Sequence, residues 1–193
     1  MDANHDCLLD IIVVTYQQDA CLRGLINSLQ AQTVSDWRMF VLHDGPSKEF
    51  EHLMEYEYSN DSRIKWLCSR DRHNDWGHTL RKYGLNHIGN SKYVLITNGD
   101  NYYTPVFIQE MCLDTSKDFI MCDFVHNQLD YAVRIGKLGM GSIDVGSFVV
   151  RTDMAKKVGW TDTKHSADWT YAYAVSQHCK RFKEVRKVLF VHN

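Results

Sequence analysis

The feature that most constrains this chain is the run from Leu8 to Val14, β-branched and apolar except for Asp10. A short run without polar alternation reads as a strand covered on both faces, the way a parallel sheet buries its central strands. Such a sheet needs helical crossovers, and the sequence supplies them. After a polar turn at Thr15 to Gln18, Asp19 is placed to cap a helix whose Leu22, Leu25, Ile26 and Leu29 recur at helical spacing. Trp37 to His43 reads as a strand, Phe50 to Tyr58 as a helix and Ile64 to Cys68 as a short strand. A helix from about Gly77 to Ile88 leads into a strand, Tyr93 to Thr97, that stops at Asn98-Gly99-Asp100-Asn101.

The second half is less regular. Asp118 to Val125 looks extended, Ile135 to Gly146 is a glycine-rich connection, and Ser147 to Val150 is a short strand before a helix at Asp153 to Val158. A helix from about Ala167 to His178 and a last strand, Val185 to His192, complete the pattern. Strands alternating with helices predict an α/β fold, a mostly parallel, right-handed wound central sheet flanked by helices. Sheets of this kind bind ligands outside the carboxyl ends of their strands.

Bulk properties exclude several functions. The 193 residues fit one domain, with no linker, repeat or low-complexity tract. A net charge of −2 offers no basic field for nucleic acid, and the run Lys180, Arg181, Lys183, Arg186 and Lys187 reads as a solvated face. Six scattered cysteines without a CxxC pair predict reduced core thiols, not zinc or redox chemistry. The longest apolar run is too short for a transmembrane span, and acidic Asp2 and Asp6 stand where a signal peptide is basic. A cytoplasmic or otherwise reducing location is expected.

Four polar clusters fall where strands end: Thr15-Tyr16, His43-Asp44-Gly45, Asn74-Asp75-Trp76-Gly77 and Asn98-Gly99-Asp100-Asn101. Each alone is an ordinary turn, because Asp, Asn and Gly favour turns. Gathered at one sheet edge, their carboxylates would repel one another, and a divalent cation together with ribose or sugar hydroxyls would stabilise them.

These segments resemble the inverting nucleotide-sugar glycosyltransferases of family 2, which have the GT-A fold. Leu9 to Tyr16 is similar to the family's opening strand, and Val41 to Ser47 to its second strand, which ends in Asp-Asp-Gly-Ser. Gly77, Arg81, Gly84, Ser91 and Tyr93 resemble the segment before the family's Asp-x-Asp metal motif, which falls on Asn98-Gly99-Asp100. The resemblance implies a GT-A-like single domain, with a Rossmann-like nucleotide-binding half over about 1–101 and an acceptor and catalytic half over about 102–193. It implies a nucleotide-sugar site including Thr15, Tyr16, Asp44, Asp75, Arg81, Asn98 and Asp100, with Asp44 on the base or ribose and Asp75 near the base. Asp100 would bind Mn²⁺ or Mg²⁺ at the diphosphate of a UDP-, GDP- or dTDP-linked sugar. His43 and Asn98 replace the first acids of the two motifs, so a further ligand is wanted, and His192 resembles a histidine that serves this role in some GT-A enzymes.

For the base that activates a glycan or other hydroxyl acceptor, the corresponding place is His165-Ser166-Ala167-Asp168-Trp169, which points to Asp168. The alternative is that Ser166 or Asp168 caps the helix, with Asp162 and His165 as neighbouring candidates for the base. Asp144, in the glycine-rich connection, is placed to contact donor sugar or acceptor hydroxyls. Trp76, Trp160 and Trp169 are expected in the core, with sugar stacking as the alternative. No basic side chains that could replace the cation stand out. Two other readings follow from the same residues: a degenerate domain that binds nucleotide-sugar or glycan without turnover, and a nucleotidyltransferase, which would need a glycine-rich basic loop where Thr15 to Asp19 stands. A dinucleotide-binding enzyme is excluded because no GxGxxG follows the first strand.

Overall fold

Leu9–Thr15 (β1) is buried along its whole length, Asp10 included. The Arg38 guanidinium donates to both Asp10 oxygens, at 2.9 and 3.2 Å, which is how a charge is tolerated there. The computed structural model describes residues 6–193, so Asp2 lies outside the described residues. Side chains of β1 alternate: Leu9, Ile11 and Val13 join one apolar cluster, Ile12 and Val14 another. The sheet is therefore covered on both faces, as its apolar strands require.

The first half is wound as predicted. β1 is followed by Asp19–Gln30 (α1), Trp37–His43 (β2), Lys48–Leu53 (α2), Ile64–Cys68 (β3), His78–His87 (α3) and Tyr93–Asn98 (β4). α2 runs on through a π turn at Met54–Tyr58. Asp19 is not the cap of α1 but its first residue; Gln18 takes the cap position without a side-chain bond, and the Asp19 charge favours the helix end through its dipole.

Tyr102–Tyr103 (β5) and Phe107–Cys112 (α4) follow, then Phe119–His126 (β6), Ala132–Arg134 (β7), Phe148–Arg151 (β8), Thr152–Val158 (α5), Ala167–Ser176 (α6) and Phe182–His192 (β9). The nine-stranded sheet runs β3-β2-β1-β4-β8-β6-β9-β5, with β7 paired to β6. β1 is parallel to β2 and β4, β2 to β3, and β6 to β9, whereas β8 runs antiparallel to both neighbours. Two reversals restore the direction, so β1, β2, β3, β4, β6 and β9 all end at one edge. The basic run near the end is structural: Lys187 pairs with Glu110, Arg181 with Asp118 and Arg186 with Asp123. Among the described residues no helix is long and apolar enough to cross a membrane.

Candidate functional site

At that edge a cleft of about 450 Å³ opens over the ends of β1, β2 and β4. Thr15, Tyr16, Asp44, Arg81, Asn98 and Asp100, all singled out from the sequence, line it together with Asp168, as do the alternative candidates Trp76 and His165. The first six come from the wound half, Asp168 from the first turn of α6.

One end of the cleft is organised by Asp44. Its two carboxylate oxygens accept from the backbone N–H groups of His73 (2.8 Å) and Asn74 (3.0 Å), fixing the loop after β3. From that loop the Arg72 guanidinium lies 3.8 Å over the Tyr16 ring and donates to Asn74 Oδ1 at 2.9 Å. His43, which replaces an acid of the family pattern, is buried with structural partners. Its Nδ1 meets Gly45 O at 2.7 Å, its Nε2 accepts from Gln17 N–H at 3.4 Å, and its ring stacks on Phe50. With Nε2 accepting, the proton sits on Nδ1 and is donated to Gly45.

The floor is the Asn98-Gly99-Asp100 turn. A Cβ on Gly99 would stand 2.6 Å from Thr15 Oγ1, so only glycine lets this turn approach the end of β1. Arg81 is buried and donates from Nη1 to Trp76 O and from Nη2 to Asn98 Oδ1, both at 2.6 Å, leaving Nε without a partner. Burial works against the guanidinium charge, and the nearby Asp168, Asp144 and Asp75 favour it. Asn98, which lines the cleft, thus has its side-chain oxygen held by Arg81.

Beneath the floor, His192 at the end of β9 meets Asp144 Oδ2 through Nε2 at 3.2 Å. Asp144 also caps the short turn before β8, accepting from Gly146 N–H at 2.8 Å. Burial, then the charge of Asp168, pushes the Asp144 carboxyl up to about 8; burial pulls the His192 imidazole down. So raised, the Asp144 carboxyl keeps its proton at neutral pH and faces His192 Nε2; Nδ1, buried and without a partner, is freed for a cation once that acid proton leaves and Nε2 donates to the carboxylate. Carboxylates fix metal-ligating histidines in this way. Asp100 is similar: Oδ2 accepts from Gln18 Nε2 at 3.3 Å, and Oδ1 is buried and unpartnered. These orphaned atoms fit a cation. Among the described residues no three His, Cys, Asp or Glu side chains already surround one point as ligands. A bound cation would thus need further ligands from outside these side chains.

Asp75, Asp162 and His192 lie outside the lining, as Asp144 and Ser166 do; Asp162 accepts from Lys164 N–H at 3.0 Å and from Thr170 Oγ1 at 2.7 Å. Asp75 serves α3, accepting from Gly77 N–H, Thr79 N–H and Thr79 Oγ1 at 3.1, 2.9 and 2.6 Å, and His192 stands behind Asp144. Ser166 holds the cap position of α6 without a side-chain bond, and among the described residues the Asp168 carboxylate accepts from Val145 N–H alone, at 3.4 Å, so neither acts as a side-chain cap within the helix. The expectation about basic groups is corrected: Arg72, Arg81 and Lys164 all reach the cleft. Arg81 was already named from the family resemblance, whereas Arg72 and Lys164 come from loops far apart in sequence, where no local pattern marks them. His126, also unforeseen, ends β6 with its ring 4.1 Å from His192; reading the parallel β6 and β9 ends together would have found it. Among the tryptophans, Trp160 is in the core as expected, Trp169 packs at its margin, and Trp76 is 78% exposed on the cleft wall.

Comparison with known proteins agrees with this geometry. The family described as Glycosyl transferase family 2 matches residues 10–134. The bifunctional glycosyltransferase pgtA of Dictyostelium discoideum is 30% identical over 86 residues, 44% of this chain but 11% of that protein. S. aureus TarS (residues 1-349) superposes with a TM-score of 0.75 at 15% identity, over 96% of this chain and 60% of that one. The mannosyltransferase PcManGT of Pyrobaculum calidifontis, solved with GDP-Man and Mn²⁺, has a TM-score of 0.73 at 13% identity, over 99% of this chain and 59% of its own. The chain thus spans a small part of the curated relative and about three fifths of the solved ones, and at these identities the structures establish the GT-A fold alone. The family match carries the assignment further, because it covers more than half of the 193 residues and includes the ends of β1, β2 and β4 over which the cleft opens: this chain belongs to glycosyl transferase family 2.

Proposed function

We propose that this domain transfers a sugar from a nucleoside diphosphate donor to an acceptor hydroxyl, with inversion and with help from Mn²⁺ or Mg²⁺. The observation that carries the reading is the pairing, across one cleft, of the orphaned Asp100 Oδ1 with the Asp168 carboxylate. TarS solved with UDP and with UDP-GlcNAc, and PcManGT solved with GDP-Man and Mn²⁺, support a nucleotide-sugar donor and a cation. The nucleoside lies at the Thr15, Tyr16 and Asp44 end. Asp75 acts there indirectly, by fixing the turn into α3. Asp100 and His192 would hold the cation, whose contribution is to stabilise the charge gathering on the departing diphosphate, a matter of several kcal/mol.

Asp168 accepts the proton of the acceptor hydroxyl as its oxygen bonds to the anomeric carbon and the bond to the diphosphate oxygen breaks on the opposite face. Arg81 adds positive potential beneath the donor and orients the Asn98 amide, and Asp144 keeps His192 in place. Six unpaired cysteines support a reducing compartment such as the cytoplasm.

A UDP- or GDP-linked sugar at about a hundred times its Kd should stabilise the fold by about 2.7 kcal/mol, or roughly 5–10 °C in Tm, with Mn²⁺ and not with chelator. Asp100→Ala should abolish that shift; metal-independent stabilisation would remove the cation from the proposal. Asp168→Asn should keep the shift and lower transfer by about 10²–10⁴-fold, and transfer at the wild-type rate would remove Asp168 as base. The neutral Asn98 favours a second reading, donor binding without turnover. It would be upheld by a wild-type chain that binds donor with metal and neither hydrolyses nor transfers it.

A further inference from the structure

The loop leading into α3 holds one side chain in the open with unusual care. Asn74 and Trp76 both adopt positive φ, 53° and 55°, and Gly77 follows at 82°. Left-handed backbone disfavours a bulky residue such as Trp and persists only where its surroundings impose it. Here they do. Asp44 clamps the His73 and Asn74 N–H groups, Asp75 clamps Gly77 and Thr79, and the buried Arg81 donates to the Trp76 carbonyl at 2.6 Å. Every anchor serves the backbone, and the indole itself stays 78% exposed, edge-on to His78 with ring centroids 6.4 Å apart. Trp37 and Trp160, by contrast, are buried.

The indole also stands toward a particular end of the cleft. Tyr16, Arg72 and Asp44 occupy the nucleoside end. Trp76 is joined through its carbonyl to Arg81 and through its ring to His78, whose ring stacks on Trp160 at 5.9 Å, and Trp160 in turn packs at 4.9 Å on Tyr171 of α6, the helix whose first turn carries Asp168. An exposed aromatic face in one cleft with the Asp168 carboxylate suits a ring that is apolar on one side and carries hydroxyls at its rim. A pyranose has that form, its axial C–H groups on one face and its hydroxyls around the edge.

We propose that Trp76 is the stacking platform for the acceptor and that the acceptor is a pyranoside, one ring face lying on the indole while a hydroxyl meets Asp168. The proposal rests on the reading of this cleft as a transfer site, and it narrows the acceptor from any hydroxyl compound to a sugar.

Binding tests it without turnover. The wild-type chain, in UDP or GDP with Mn²⁺, is titrated with methyl β-D-galactopyranoside, methyl β-D-glucopyranoside and methyl α-D-mannopyranoside. Glycerol serves as a hydroxyl compound without a ring, and indole fluorescence and calorimetric heat are recorded. At least one pyranoside should bind better than glycerol. Trp76→Ala should weaken it by about tenfold and Trp76→Phe by less, because a phenyl ring keeps part of the stacking surface. The Kd for UDP or GDP should change less than about twofold, since no anchor of the loop is altered. Unchanged melting curves for both variants confirm the fold. Three results overturn the proposal: no pyranoside binding beyond that of glycerol, unchanged binding in Trp76→Ala, or a loss confined to UDP and GDP, which would assign the indole to the nucleobase. If neither nucleotide binds the wild type but a Trp76-dependent pyranoside site is found, the donor reading fails and the platform stands.

Discussion

Asp118 shows at the scale of one residue how this chain tolerates charge in its interior. It precedes β6, is buried, and accepts from the backbone N–H groups of Lys180 and Arg181, both at 3.0 Å, and from Arg181 Nη2 at 2.7 Å. Burial alone would raise its carboxyl, but the Arg181 guanidinium and the two N–H groups outweigh it and hold the carboxyl below the usual range. A carboxyl depressed in the folded state contributes stability that is present above its unfolded pKa, about 3.9, and is lost as pH falls through the folded value. Asp118→Asn should therefore cost about 2–3 kcal/mol at pH 7 in urea unfolding, and the gap to wild type should narrow below about pH 4. A gap that stays constant to pH 3 would show that the interaction is not ionic. Sequence alone marked Asp118 only as the start of a strand, because its partners lie 62 and 63 residues away.

At the scale of elements, what was legible depended on length and period. β2 and β3 occupy the spans their apolar pattern indicates, Trp37–His43 and Ile64–Cys68. β5, with two residues, and β7, with three, are too short to carry a period and owe their form to the strands they pair with. α4 has six residues between irregular segments and left no signal of its own. The candidate site divides in the same way. Asp44 and Asp100 were legible because abrupt polar turns mark strand ends, whereas Arg72 and Lys164 reach the cleft from loops whose course only the fold determines. Asp75 has the residue type of a ligand-binding acid, but its oxygens are taken by the backbone N–H groups of Gly77 and Thr79 at the start of α3.

Packing between elements gives a paired test with two glycines. A Cβ on Gly84 of α3 would stand 2.6 Å from Ile12 Cγ2 of β1, so Gly84→Ala should push helix from sheet and cost about 1–3 kcal/mol. Gly24, inside α1, has nothing within 4 Å of the same position, and Gly24→Ala should stabilise by about 0.5–1 kcal/mol. Denaturant midpoints of the two variants should move in opposite directions; movement in the same direction would refute the α3 packing.

Across the whole molecule, the cysteines report how the fold covers its interior. Cys7, Cys112, Cys122 and Cys179 are buried, Cys68 is half-buried and Cys21 is exposed. Burial pushes the Cys7 and Cys179 thiols up to about 12 and those of Cys112 and Cys122 well above the usual range. Thiolate, not thiol, is the reactive form. Brief iodoacetamide treatment of the native chain at pH 8 should thus add one label, at Cys21, with Cys68 slower and the remaining four labelled only after unfolding. Rapid addition of three or more labels, read by intact mass, would contradict the packing of both sheet faces.

The reversed strand β8 also has a mechanical consequence. It joins β4 on one side to β6 on the other by backbone hydrogen bonds, so the half that would hold a nucleotide and the half that carries Asp168 belong to one continuous sheet. Substrate entry and product exit cannot then rely on two lobes swinging about a hinge between these halves. The motions available at the cleft belong to its rim, to the loop after β3 and the segment before α6, and gating here is a matter of loop kinetics on a rigid base.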